Sequence, residues 1–292
     1  MDGTFWNIFI FLASTVGYFI FLKPKLSTDI LENDADYVAY ISSTHAMLSL
    51  YFIGTILLQY FINSAVIINK CGGSSASNMG VAAMLTFVPW FLIFGMVIVV
   101  LIIFPGFKSA FSDVIGYFWV AKNANSLLSD LLLDTDVGAK LNNENLSPQE
   151  KQRLENTASV IIKIAGNLST LINQIVPENF QDYWKMLTPL MKDEYKNNMN
   201  SADLLSKKQK LLEIVVTRDD VGEAFWYIYT ALLLISIVQF NIVSQGCSKD
   251  INIMRANLDD YLSEQNATDK KNKATSVTYV NTVGGTLGNN NS

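Results

Sequence analysis

Four long apolar runs without a single Asp, Glu, Lys or Arg alternate with polar, charge-bearing segments along this chain. They lie at residues 5–22, 42–68, 80–104 and 224–245. A bilayer core of about 30 Å takes about 20 helical residues to cross. Each run is long enough or nearly so, and the third, GVAAMLTFVPWFLIFGMVIVVLIIF, is the most apolar. The pattern predicts an all-α membrane protein with four transmembrane helices. A helical extramembrane domain, residues 105–223, is inserted between the third and the fourth. Residues 246–292 form a polar, flexible tail.

The boundaries carry stop signals. Lys23-Pro24-Lys25 closes the first run, an acidic loop at 29–36 precedes the second, and Asn69-Lys70 ends it. A Gly/Ser-rich stretch after Cys71 leads to the third, and Arg218-Asp219-Asp220 precedes the fourth. The first run has only Asp2 ahead of it and no small-residue cleavage site, so it reads as a retained span and not as a signal peptide. Pro89 removes a backbone donor inside the third run and is expected to kink it. Trp6, Tyr18, Tyr40, Trp90, Trp226, Tyr227 and Tyr229 are spread along the runs, several of them near ends, where amphipathic rings prefer headgroups.

Within 105–223 the apolar period is helical. Ser147-Pro148-Gln149-Glu150 resembles a capped helix start. It is followed by a stripe of Leu154, Ala158, Ile161, Ile162, Ala165, Leu168 and Ile172. Further stripes are Leu127, Leu128, Leu131 and Leu132; then Tyr183, Trp184, Leu187, Leu190 and Met191; then Leu204, Leu205, Leu211, Leu212, Val215 and Val216. These are core stripes of a compact bundle on the membrane surface. In the tail, residues 251–262 continue as a short amphipathic helix. From Ser263 onward the composition is too polar to bury a core by itself.

Composition narrows the chemistry. The net charge of −5 over 292 residues gives no basic footprint for nucleic acid. One histidine and two cysteines leave no zinc-type cluster. His45, at the start of the second run, reads as a packed or interfacial residue, with pH sensing as its sharper alternative. The pairs Asp193-Glu194, Asp219-Asp220 and Asp259-Asp260 read as solvated charge, and Asp134 and Asp136 lack a calcium-loop pattern. No catalytic, cofactor or small-molecule site emerges, so an enzyme is not expected. Spans without ionisable residues also argue against a pump or coupled transporter. Thr55, Gln59 and Asn63 share one helix face, and Gln239 lies late in the fourth run. They read as interhelical glue, with a pore lining as the alternative.

An even number of spans places both termini on one side and the domain on the other. The domain side carries more lysine near the membrane, which predicts a cytosol-facing domain. Cys71 and Cys247 emerge together on the terminus side. A disulfide, lipidation and two unrelated thiols all remain open for them.

One segment is distinctive: Pro105, Gly106, Phe107, Lys108, then Phe111, Ser112, Asp113, Gly116 and Tyr117. Pro and Gly stop the third helix, Phe107 and Phe111 suit the interface, Lys108 suits headgroups, and Ser112 is placed to cap the next helix. The segment resembles the membrane-exit motif of a membrane and minor capsid protein family of large nucleocytoplasmic DNA viruses, in which a P-G-aromatic stretch precedes F-S-N and G-Y. Asp113 stands at the Asn position. The resemblance implies a structural virion component in the internal membrane, or in host endomembrane during assembly. Its helical domain and C-terminal tail would contact the capsid or other viral membrane proteins. An ion channel and a membrane-bound enzyme of unrecognised type are the competing expectations.

Overall fold

The computed structural model describes residues 3–71, 76–132, 168–247 and 251–280. The expected helix start at Ser147, most of the stripe that follows it, Asp134, Asp136 and residues 281–292 lie outside the described residues. The molecule is an all-α membrane protein. Four helices are long and apolar enough to cross a membrane: α1 (Gly3–Leu22), α2 (Asp34–Cys71), α3 (Asn78–Ile103) and a later one, Ala202–Ser244. Between them lie α4 (Tyr117–Leu131) and α5 (Phe180–Leu187) of the extramembrane domain. The long helix Ala202–Ser244 is α6, and α7 (Ile251–Val280) follows.

Helix ends follow local chemistry. Lys23 adopts an extended conformation, as the residue before a proline must. Ser27 and Ser201 cap the helices after them, accepting hydrogen bonds from the Ile30 and Leu204 amides, both at 3.3 Å. Pro89 is followed by a widened π-type turn, Trp90–Phe94, before the α-helix resumes at Gly95. A π-turn is a recognised way of absorbing an irregularity in the helical ladder without ending the helix.

The bundle packs apolar inside and apolar outside. Phe11, Tyr18, Tyr51, Trp90, Phe94 and Tyr227 are buried together in its core. Tyr18 stacks on Tyr51 at 4.7 Å and Phe94 meets Tyr227 edge-on at 5.5 Å. Tyr18, Trp90 and Tyr227, three of the aromatic residues spread along the runs, are therefore core residues. Phe61, Met96 and Phe240 stay exposed on the outer face, as a lipid-facing surface requires.

The fourth apolar run is not a separate helix. It is the second half of α6, whose 43 residues at about 1.5 Å each exceed a bilayer core about twofold. The first half of α6 is the spine of the domain. Leu204, Leu211, Leu212 and Val215 are buried against Leu128, Leu131, Ile172, Phe180, Trp184, Leu187 and Met191; Leu205, read as part of the same stripe, is exposed. The expected short helix in the tail continues to Val280 as α7. Leu258, Tyr261 and Leu262 on it are exposed.

Candidate functional site

The exit from α3 explains its own sequence. Phe104 leaves the helical conformation and Pro105–Lys108 forms one tight 3-10 turn. This brings the chain onto α6. The Phe107 carbonyl accepts from Trp226 Nε1 at 2.9 Å, and the Phe111 ring meets Trp226 edge-on at 5.1 Å. Ser112 and Gly116, one helical turn apart, face Arg218 and Gly222, also one turn apart. A Cβ on Gly116 would lie 2.4 Å from the Arg218 carbonyl oxygen, and one on Gly222 would lie 2.6 Å from the Ser112 Cβ. Small residues here let two backbones touch, as in small-xxx-small helix pairs. Ser112 does not cap a helix. Its neighbour Phe111 is already helical without a side-chain cap, and the Ser112 hydroxyl turns to Asp113 Oδ1 at 3.3 Å.

Lys108 does not reach for headgroups. Its ammonium is buried against Asp219 Oδ2 at 2.9 Å and Glu223 Oε2 at 3.2 Å. From the end of α1, Lys23 joins the same cluster, 2.5 Å from Asp220 Oδ1 and 3.1 Å from Glu223 Oε2. Tyr227 donates its hydroxyl to Glu223 Oε1 at 2.6 Å. The Asp219-Asp220 pair is thus not solvated charge but the anionic half of an ion cluster. Burial alone would pull both lysines below the ordinary lysine range. The facing carboxylates outweigh it and raise them, Asp220 and Glu223 for Lys23, Glu223 and Asp219 for Lys108. Both ammoniums are fully charged at neutral pH.

Beside the cluster, Arg218 is buried at 1% exposure. It donates to the carbonyls of Ile172 and, at 3.0 Å, Ile175, and lies 3.8 Å from Asp113. It closes the end of helix Leu168–Gln174, as a cation at a helix C-terminus does. Asn173 Nδ2 donates to the Asp113 carbonyl at 3.1 Å. The exit motif, α6 and the domain are therefore one interlocked unit.

Thr55, Gln59, Asn63 and Gln239 are all buried. The Asn63 Oδ1 accepts from Asn7 Nδ2 at 2.9 Å and from Gln239 Nε2 at 2.7 Å, and Asn63 Nδ2 donates to Thr86 Oγ1 at 2.9 Å. Gln59 Nε2 donates to the Asn7 carbonyl at 3.0 Å. One asparagine thus ties all four membrane helices, an arrangement of interhelical glue. At the terminus side Cys71 and Cys247 form a disulfide with Cα atoms 5.4 Å apart. Next to it Lys70 donates to the carbonyls of Ile242, Val243 and Gln245 at 2.7–3.0 Å, closing the end of α6.

A cavity of about 310 Å³ opens beside the ion cluster. Its lining includes Lys23, Lys108, Asp219, Asp220, Glu223 and Tyr227 of the cluster and Tyr37, Tyr40, His45, Ile102, Pro105 and Glu178 beside them. Of these, His45 is exposed. Among the described residues no group of three or more His, Cys, Asp or Glu side chains is arranged to hold a metal ion.

The sequence reading named Lys108 and the exit motif but missed Lys23, Arg218, Asp219, Asp220 and Glu223. A signal existed. Lys23 and Lys108 both follow spans that end on the domain side, and Asp219, Asp220 and Glu223 directly precede the fourth span on that same side. Comparison with protein-family models, curated proteins and solved structures gives no match for this chain. It is a four-span helical membrane protein with a helical domain between its third and fourth spans.

Proposed function

We propose that this chain is a structural membrane protein that holds a rigid helical platform against one face of a bilayer for a protein partner to grip. The observation that carries this reading is the ion cluster itself. Three of the four spans approach the domain side through it: α1 by Lys23, α3 by Lys108, α6 by Asp219, Asp220 and Glu223. Buried charge of this kind contributes little net stability but fixes one arrangement, because an unpaired buried charge is costly. Gly116 against Arg218 and Gly222 against Ser112 bring the exit segment and α6 into backbone contact, which ties the described part of the domain to the fourth span. Asn63 bonding all four spans supports anchoring over a pore.

The resemblance of the segment from Pro105 to Tyr117 makes the underside of a viral capsid the partner we propose, with the platform and the tail as contacts and a virion internal membrane as the setting. The disulfide and the lysine distribution together support an orientation with the termini in an oxidising compartment and the domain in the cytosol. The test is fractionation and crosslinking. The expected outcome is co-purification with intact particles and crosslinks from lysines of the platform, such as Lys185 and Lys196, to the shell protein. Recovery only in host membranes, with no shell crosslink, overturns the capsid reading.

A further inference from the structure

The junction cavity carries a surplus of negative charge beside two aromatic rings. Lys23 and Lys108 are already shared among Asp219, Asp220 and Glu223. With Glu178 also in the lining, four carboxylates stand beside two ammoniums. An anion entering here finds both lining lysines already engaged. A cation finds carboxylate oxygens and the rings of Tyr37 and Tyr40, which stack on each other at 6.3 Å and both line the cavity. Carboxylates with aromatic faces are the combination that holds primary and quaternary ammonium groups.

Much of the rest of the lining is apolar and includes a residue of the exposed face of α3. Leu48 and Leu101 in the lining are buried, and Ile102 belongs to the exposed stripe of α3 that includes Val99 and Ile103. The volume of about 310 Å³ is at the small end of ligand sites, which run from about 300 to 1,000 Å³. It has room for a headgroup and not for a whole lipid. Lys23 and Lys108 are held charged against burial, which agrees with a site of negative potential.

We propose that this cavity is a binding site for the ammonium headgroup of a zwitterionic membrane lipid, of the ethanolamine or choline type. The amine sits among Tyr37, Tyr40 and the cluster carboxylates, and the acyl chains leave along Ile102 on the lipid-facing side of α3. The site stands independently of any capsid partner.

The test uses the full chain purified in a neutral detergent, with lipid retention read by native mass spectrometry. Probes are dioleoyl phosphatidylethanolamine, phosphatidylcholine and phosphatidylglycerol, with free ethanolamine and free choline as competitors. Expected is retention of at least one zwitterionic lipid about tenfold over phosphatidylglycerol, the discrimination that charge and cation–π contacts together supply. The double variant Tyr40→Leu/Glu178→Gln, which leaves the ion cluster intact, lowers that retention about fivefold with an unchanged melting temperature. Equal retention of phosphatidylglycerol overturns the proposal, as does a double variant that is folded and binds normally. Competition by free ethanolamine or choline at the concentration of the lipid also overturns it, assigning the site to a soluble amine. Particle fractionation remains a separate readout, so failure here leaves the anchoring reading untouched, and the reverse.

Discussion

Replacing Gly116 by alanine tests the contact that joins membrane and domain. Gly116 is helical, with φ −60° and ψ −46°, so alanine brings no backbone strain. In a helix interior it contributes about 0.8–1.0 kcal/mol of favourable propensity. Against that, the new methyl would sit 2.4 Å from the Arg218 carbonyl oxygen and 3.0 Å from the Arg218 Cγ. Ordinary carbon contacts start near 3.5 Å, so α6 and the exit segment must part by about 1 Å. Overpacking of this kind costs about 1–3 kcal/mol. The displaced residue is also the one whose guanidinium closes helix Leu168–Gln174, so its hydrogen bonds to Ile172 and Ile175 loosen as well. The expected net loss is about 1–2 kcal/mol, or a melting temperature lower by about 2–8 °C for a chain of this size. The assay is thermal unfolding of the disulfide-intact protein in detergent, beside Gly17→Ala and Gly54→Ala. Both control glycines are helical with nothing within 4 Å of an added Cβ, and both variants should match or exceed the parent. A Gly116→Ala protein as stable as these controls would refute the close-contact argument.

Other outcomes follow from the same geometry. Glu223→Gln removes the carboxylate shared by Lys23 and Lys108 and should cost about 3–5 kcal/mol, the range for breaking a buried pair, read by the same melting assay. Lys23 and Lys108 have folded values above the ordinary lysine value, so their stabilisation is complete below about pH 10.5 and is lost as pH rises further. The parent should therefore lose more melting temperature above that pH than the Lys23→Met/Lys108→Met variant does; parallel curves would contradict this. Reducing the disulfide, or Cys71→Ser, should lower stability by about 2–4 kcal/mol and change mobility between reducing and non-reducing gels. Asn63→Leu should cost about 0.6–1.7 kcal/mol for each interhelical bond lost without creating conductance in a planar bilayer. New conductance in that variant, or conductance of the parent that it abolishes, would favour the pore reading.

The spans were legible because lipid imposes a crude rule: about 20 residues without charge. The domain core was legible for a similar reason, since Leu128, Leu131, Leu211 and Leu212 repeat at helical spacing. The ion cluster was hidden because its paired members are 111 to 200 residues apart in sequence and each, taken alone, has the look of an ordinary interfacial charge. Only folding reveals that Lys23, Lys108 and Glu223 meet. The aromatic residues misled for the opposite reason. Tyr and Trp prefer interfaces on average, but Tyr18, Trp90 and Tyr227 are large enough to fill the bundle centre, and packing overrode the preference. Gly116 and Ser112 were noticed as part of a motif, yet their role as a backbone contact depends on Gly222, which no local pattern singles out.

The continuity of α6 has a geometric consequence. Its lower half is fixed in rotation by Gln239 on Asn63 and by the Cys71–Cys247 bond, and its upper half carries the domain core. Each residue of an α-helix turns the chain by about 100° and lifts it by about 1.5 Å. The count of residues between Val215 and Tyr227 therefore sets the compass bearing of the whole domain about the membrane normal. One residue added or removed there would swing its outward face by more than a quarter turn, so the length of this segment dictates which surface any neighbour meets.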